Sequence, residues 1–202
     1  MPDYTDLTGL TGVASVLAAS LLMLPGIARL DKLRRAILLA AVFAATLIPI
    51  GDLPIAAYAR GMTGDLSIST LVLVWSALLT PWFAGANIGA RSHMALLMLV
   101  AVTALFFYPM ALGAGAYDPY RLGYGSPYFV TALLSIALAA WLLGYPAIAS
   151  CIALATLAWA IGWYESGNLW DYLLDPFVAI YALCAVAIRA IAWRTGRPHG
   201  AS

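Results

Sequence analysis

The chain has 202 residues, of which 64% are hydrophobic and 9% charged, with a mean hydropathy of +0.92. Soluble domains carry about 25% charged residues, so too little polar surface exists here to cover a water-soluble fold, and a lipid bilayer is the expected solvent. The formal net charge is only +1 and the basic residues are scattered at segment ends, which excludes a nucleic-acid-binding stripe.

Met1 to Thr8 contains Asp3 and Asp6 and no Lys or Arg, and the apolar run 9–28 is followed by Arg29, Lys32, Arg34 and Arg35. A secretory signal carries its positive charge before the apolar core, so this run reads as an uncleaved first span with the N-terminus outside. A second span is expected over 33–50, capped by Asp31 and broken at its outer end by Pro49, Gly51, Asp52 and Pro54, because each proline removes a helix N–H. The third covers 66–83 after Gly64-Asp65. The fourth covers 93–113, with Ser92 as its expected cap and a kink near Pro109. A polar loop from Tyr117 to Gly125 follows, and Ser126-Pro127 opens the fifth span, 127–143. After the Gly144-Tyr145-Pro146 turn come a sixth span, 146–163, and a seventh, 176–194, opened by Asp175-Pro176.

These runs predict an all-α, polytopic transmembrane helix bundle forming a single integral membrane domain. Each run has about 17 to 21 residues, enough to cross roughly 30 Å of hydrocarbon at 1.5 Å per residue. Seven crossings put the C-terminus in the cytoplasm, and the charges agree with that orientation. Arg29, Lys32, Arg34, Arg35, Arg91, Arg189, Arg194 and Arg197 fall at inner ends, while Arg60 and Arg121 fall outside. Trp82, Trp141 and Trp193 mark the inner interface, and Trp163 and Trp170 the outer one. The expected location is the bacterial cytoplasmic (inner) membrane.

Under this topology Asp3, Asp6, Asp52, Asp65, Asp118, Glu165, Asp171 and Asp175 all lie outside, leaving Asp31 inside, and most tyrosines are outer as well. Helix capping accounts for Asp6, Asp65 and Asp175, and Asp118 is placed to cap a short interfacial helix before Pro119. Asp52 stands at an even-numbered helix end, where the dipole disfavours an anion, inside a Gly/Pro break; a carboxylate so placed is a functional candidate. Glu165 and Asp171 have no evident capping role. Were 168–174 helical, Asn168, Asp171 and Asp175 would share one face. The candidate ligand-binding set is therefore Asp52, Arg60, Asp118, Arg121, Glu165, Asn168, Trp170, Asp171 and Asp175, with Arg60 and Arg121 as the outer cations available to neutralise it.

Several chemistries are disfavoured. His93 and His199 both fall inside, away from the carboxylates, so neither a bis-histidine haem nor a histidine-rich metal site is expected. The single lysine, Lys32, lies in an inner loop and rules out a Schiff base in the last span. Cys151 and Cys184 have no ligand spacing, and no phosphate-binding glycine motif is present. No cofactor or metal is expected.

Gly51 to Asp65 and Gly162 to Asp175 are similar intervals at corresponding outer loops, which suggests two parallel three-span repeats joined by the fourth span. That arrangement is similar in topology to SWEET-type carriers. The chain has no glutamine, so the proline–glutamine signature of that group is absent and no family membership follows. The function expected is binding or carrying of a small polar solute or of a lipid or sugar headgroup. The alternatives are an enzyme acting on a lipid-linked substrate, with Asp52, Asp171 or Asp175 as general base and Arg60 or Arg121 on a phosphate, and a non-catalytic subunit docked on a membrane-protein partner in an envelope-assembly complex.

Overall fold

The computed structural model describes residues 4–24 and 26–195 and builds them almost wholly from helix. Asp3, Arg197 and His199 lie outside the described residues. The elements in order are α1 (Tyr4–Ser20), α2 (Lys32–Leu47), a minimal hairpin of β1 (Pro49–Ile50) and β2 (Leu53–Pro54), α3 (Ile55–Thr63), α4 (Ile68–Leu79), α5 (Ala90–Ala111), α6 (Pro127–Leu142), α7 (Pro146–Ala160), α8 (Leu169–Leu173) and α9 (Pro176–Arg194).

Local chemistry sets most boundaries. Asp31 caps α2 by accepting from the Arg34 amide at 2.9 Å. The break after α2 is a two-residue turn, Gly51-Asp52, pairing Ile50 with Leu53, and Gly51 supplies the positive φ of 75° that the turn needs. Pro127, Pro146 and Pro176 each occupy the first helical turn, where the missing N–H costs nothing. Between α6 and α7, Gly144 adopts φ 76° while Tyr145 N donates to Ala140 O at 2.8 Å, a left-handed helix stop that turns the chain at once into the next helix.

Three expected caps are reassigned. Ser92 lies inside α5, and its Oγ accepts from Ala147 N at 3.0 Å, so it caps α7 across the helix interface instead of opening its own helix. Ser126 stands at the start of α6 without a side-chain capping bond. Asp65 does not cap α4; Ser67 does, accepting from Thr70 N at 3.2 Å, which leaves the Asp65 carboxylate for an arginine.

α1 packs on α2, α3 and α4; α4 bridges to α7; α6 pairs with α7, and α5 with α9. The buried interfaces are built from small residues, among them Ala101, Ala104, Ala137, Ala155, Ala179 and Ala182. Large apolar side chains point the other way: Leu105, Phe106, Leu138, Trp141, Ile180 and Ile191 are all exposed. Small residues let helix backbones approach closely, and the outward apolar residues form the kind of surface that water does not stabilise.

Ala84–Ala111 and Pro176–Arg194 are long and apolar enough to cross a bilayer. The helices in the other expected spans are shorter, with α4, α6 and α7 holding 12, 16 and 15 residues, so helix length alone does not establish seven crossings. The parallel-repeat expectation fails on packing. α1 lies against α4, but α9, the expected counterpart of α4, packs chiefly on α5 and at most weakly on α6.

The reassigned caps give a direct test. Ser92→Ala is expected to lower stability by about 1 kcal/mol, the usual cost of a lost cap, while Ser126→Ala has a much smaller effect. Thermal melts of the detergent-solubilised variants measure both.

Candidate functional site

The loop between α7 and α9 is held by its own polar side chains. Asn168 is fully buried: its Oδ1 accepts from Trp170 N at 3.0 Å and opens α8, while its Nδ2 donates to Tyr120 O at 2.9 Å. Trp170 Nε1 donates to Pro119 O at 2.9 Å, and its ring lies between Phe107 and Phe129, with centroids 4.5 and 4.7 Å away. Two hydrogen bonds thus lock the loop onto the 3-10 turn Pro119–Gly123, and the ring contacts hold it against α5 and α6. Gly123 is required at that contact, because an added Cβ would collide with Asn168 Oδ1. Tyr172 ties the other side, its hydroxyl accepting from Tyr164 N at 3.1 Å.

These contacts frame a cavity of about 470 Å³ at the end of the molecule where α4 and α9 begin and α5 ends. Its wall contains the carboxylates Asp65, Asp171 and Asp175, the phenols Tyr108, Tyr120 and Tyr164, and Trp170 with Phe107. No lining residue is basic.

Each carboxylate is held differently. Asp175 is buried; its Oδ1 accepts from Val178 N at 2.9 Å, capping α9, and its Oδ2 accepts from Ser67 N at 2.8 Å and from the Thr70 hydroxyl. It therefore joins the N-termini of α4 and α9. Asp171 receives the Tyr120 hydroxyl at 2.9 Å and the Ser166 hydroxyl, two neutral donors that leave its charge uncompensated. Asp65 is paired with Arg60, which reaches Oδ1 through Nε at 2.6 Å and Oδ2 through Nη2 at 3.0 Å; Arg60 Nη1 also donates to Asp6 at 2.9 Å. This fork is bidentate, and it sits against Gly9 of α1, where a Cβ would strike both partners.

Two phenols are held neutral. Burial, followed by the hydrogen bond to Asp171, raises the Tyr120 pKa. Burial, followed by the Asp65 charge, raises that of Tyr164. The Tyr164 side chain is 3% exposed and its hydroxyl has no hydrogen-bond partner. An unsatisfied buried hydroxyl costs about 1 to 3 kcal/mol, and this one borders the acidic cavity.

Of the sequence-derived set, Trp170, Asp171 and Asp175 line the cavity, and Asn168 buttresses it from behind. Asp118 caps the 3-10 turn, accepting from Tyr120 N at 2.9 Å. Arg60 stands behind Asp65 as its counter-ion. Asp52, Arg121 and Glu165 are exposed and do not line the cavity. Asp52 stands at the exposed tip of the hairpin, beyond the end of α2 and away from the helix end that made it conspicuous. Trp170, expected to mark the outer interface, is a wall residue of the cavity. Asp65, Tyr108, Tyr120, Tyr164 and Ser166 are not in the set; Asp65 counts among the outer carboxylates but is assigned to capping, the clustering of tyrosine toward one end is the only sequence signal for the phenols, and Ser166 has none. Among the described residues no group of three or more His, Cys, Asp or Glu could hold a metal ion.

Compared with protein-family models, curated proteins and solved structures, the chain matches none of them.

Because the folded state binds the Tyr120 proton more tightly than the unfolded chain, the stability this phenol contributes is intact below its usual value of about 10 and declines as pH rises beyond it. Thermal melts between pH 8 and 12 are expected to show this alkaline loss, and Tyr120→Phe should flatten the curve. Gly123→Ala should displace Asn168 and shift the tryptophan emission of the folded protein to the red.

Proposed function

We propose that this is an integral membrane protein of seven crossing or membrane-entering segments, oriented with its basic end in the cytoplasm, and that it binds a small cationic solute in the acidic cavity at the opposite end. Support for a lipid surround comes from the distribution of side chains, with small residues at helix contacts and Leu, Ile, Phe and Trp directed outward. The expected bacterial cytoplasmic membrane follows from the same charge asymmetry.

The observation that carries the ligand reading is the cavity wall: three carboxylates beside aromatic rings, with no basic residue among them. Arg60 offsets only part of that charge, since it is shared between Asp65 and Asp6. A cation entering the cavity gains the electrostatic attraction of Asp171 and a ring face from Tyr108. The volume of about 470 Å³ falls within the range of small-molecule sites. A neutral sugar would use the rings and acceptors but not the charge.

A membrane enzyme acting on a phosphate-bearing lipid is less well supported. Its anion would need Arg60 or Arg121, and the first is held by two carboxylates while the second is exposed and outside the cavity wall. The binding reading asks for no such rearrangement.

Purified protein in nanodiscs can be titrated with tetramethylammonium, sorbitol and methylphosphonate while tryptophan emission is followed. Saturable binding of the cation alone is expected, and Asp171→Asn should weaken it at least tenfold, about 1.4 kcal/mol. The amide retains an acceptor for Tyr120, and a melt of the variant checks its fold. Equal binding of sorbitol, or a cation affinity unchanged in Asp171→Asn, would remove the reading.

A further inference from the structure

Tyr164, in the wall of the acidic cavity, is fixed by contacts that leave its own hydroxyl unanswered. The Tyr172 hydroxyl accepts from Tyr164 N at 3.1 Å and shares its proton between Tyr164 O and Ser166 O, and the two rings pack with centroids 5.2 Å apart. The phenol is therefore clamped and cannot swing toward a distant partner. Around its hydroxyl, the protein offers groups that are apolar or already engaged. Gly12 of α1 lies beside it, where an added Cβ would stand 3.9 Å from the phenol oxygen and 3.5 Å from a Leu71 methyl. Asp65 and Asp175 are near enough for their charges to act on the phenol. Asp65, however, holds Arg60 with both oxygens, and Asp175 accepts from Ser67, Thr70 and Val178. The phenol oxygen is buried without a hydrogen-bond partner. Such a hydroxyl lowers stability, and phenylalanine would fill the same space without that cost.

We infer, resting on the cation site proposed above, that Tyr164 sets the specificity of this cavity: its hydroxyl is held to meet an alcohol on the solute, so that the preferred ligand is an ammonium compound carrying a hydroxyl group. Asp171 and the Tyr108 ring serve the ammonium end, while Tyr164 stands on the side of the wall formed by Asp65 and Asp175. Burial, with the charges of those two carboxylates, keeps the phenol protonated, so it is a donor at neutral pH. The surroundings select its partner. A carboxylate or phosphate on the solute would meet three carboxylates and no basic lining residue, and is repelled. A carbonyl could accept the Tyr164 proton but could offer none in return. An alcohol accepts from Tyr164 and turns its own proton toward Asp65 or Asp175, which retain lone pairs for it. An apolar group of the same size would leave the phenol unpaired in a closed site, the circumstance in which a pocket built to hydrogen-bond a hydroxyl most strongly rejects the analogue lacking it.

Choline and propyltrimethylammonium share a quaternary head and differ by a terminal hydroxyl in place of a methyl, so comparing them isolates the Tyr164 contact. Each is titrated by calorimetry into the full chain in nanodiscs, as wild type and as Tyr164→Phe. The wild type is expected to bind choline about tenfold more tightly than the propyl compound, or better. Tyr164→Phe should bring the two to within about twofold, through loss of choline affinity. If Tyr164 only shaped the wall, its substitution would weaken both cations alike and keep their ratio, which would overturn the assignment. A preference for choline that persists in Tyr164→Phe would place the alcohol elsewhere and overturn it too. Because the hydroxyl bonds nothing in the protein, Tyr164→Phe is expected to melt no lower than the wild type; a clear fall in Tm would show the phenol satisfied within the fold and sink the idea. Equal binding of the two cations by the wild type would overturn the role of Tyr164 and leave the cation site standing, whereas binding of neither would remove both.

Discussion

Asp175 is where the two halves of the molecule meet. A buried carboxylate is costly unless its oxygens are satisfied, and this one receives two backbone amides and a hydroxyl drawn from α4 and α9. Both helices direct their positive ends at the same anion, so the charge that would otherwise disfavour burial fixes the angle and separation of two helices remote in sequence. This contact lies in the wall of the acidic cavity.

The rim of the site depends on a second set of constraints with a different logic. Asn168, Trp170 and Tyr120 spend their hydrogen-bonding capacity on backbone and loop contacts, which makes the loop 163–175 a rigid wall. What remains for a ligand is the charge of Asp171, the aromatic faces and the unmatched Tyr164 hydroxyl. Several polar residues at the site are therefore structural in their immediate bonding and functional only through the cavity they shape.

Much of the helix content could be read from the chain because its signals are local. Asp31, Asp118 and Asp175 each sit directly before the element they cap, and Pro127, Pro146 and Pro176 begin helices as their chemistry dictates. Ser92 was misplaced because its partner, Ala147, is 55 positions away, and nothing local distinguishes a serine that caps its own helix from one that caps a neighbour. Asp65 was misplaced for the same reason: its arginine is near in sequence, but the arrangement that also recruits Asp6 is tertiary. Asp52 attracted notice on a dipole argument that presumed a helix end, whereas it stands at the exposed tip of a hairpin. Span lengths taken from hydrophobicity overran the helices, since apolar residues continue into the turns at Leu47–Ile48, Thr80–Phe83 and Leu142–Leu143.

The shortness of α4 has an electrical consequence. Its 12 residues extend about 18 Å, well short of a hydrocarbon layer of roughly 30 Å. Under the proposed membrane topology, with the C-terminal end of α4 at one interface, Asp175 would stand some distance below the other, within the depth of the membrane. Water reaching that depth through the acidic cavity would concentrate the transmembrane voltage across the protein between Asp175 and the opposite interface. A unit charge moved through the full potential exchanges about 2.3 kcal/mol per 100 mV, and most of that energy would be exchanged between the carboxylate and the opposite interface.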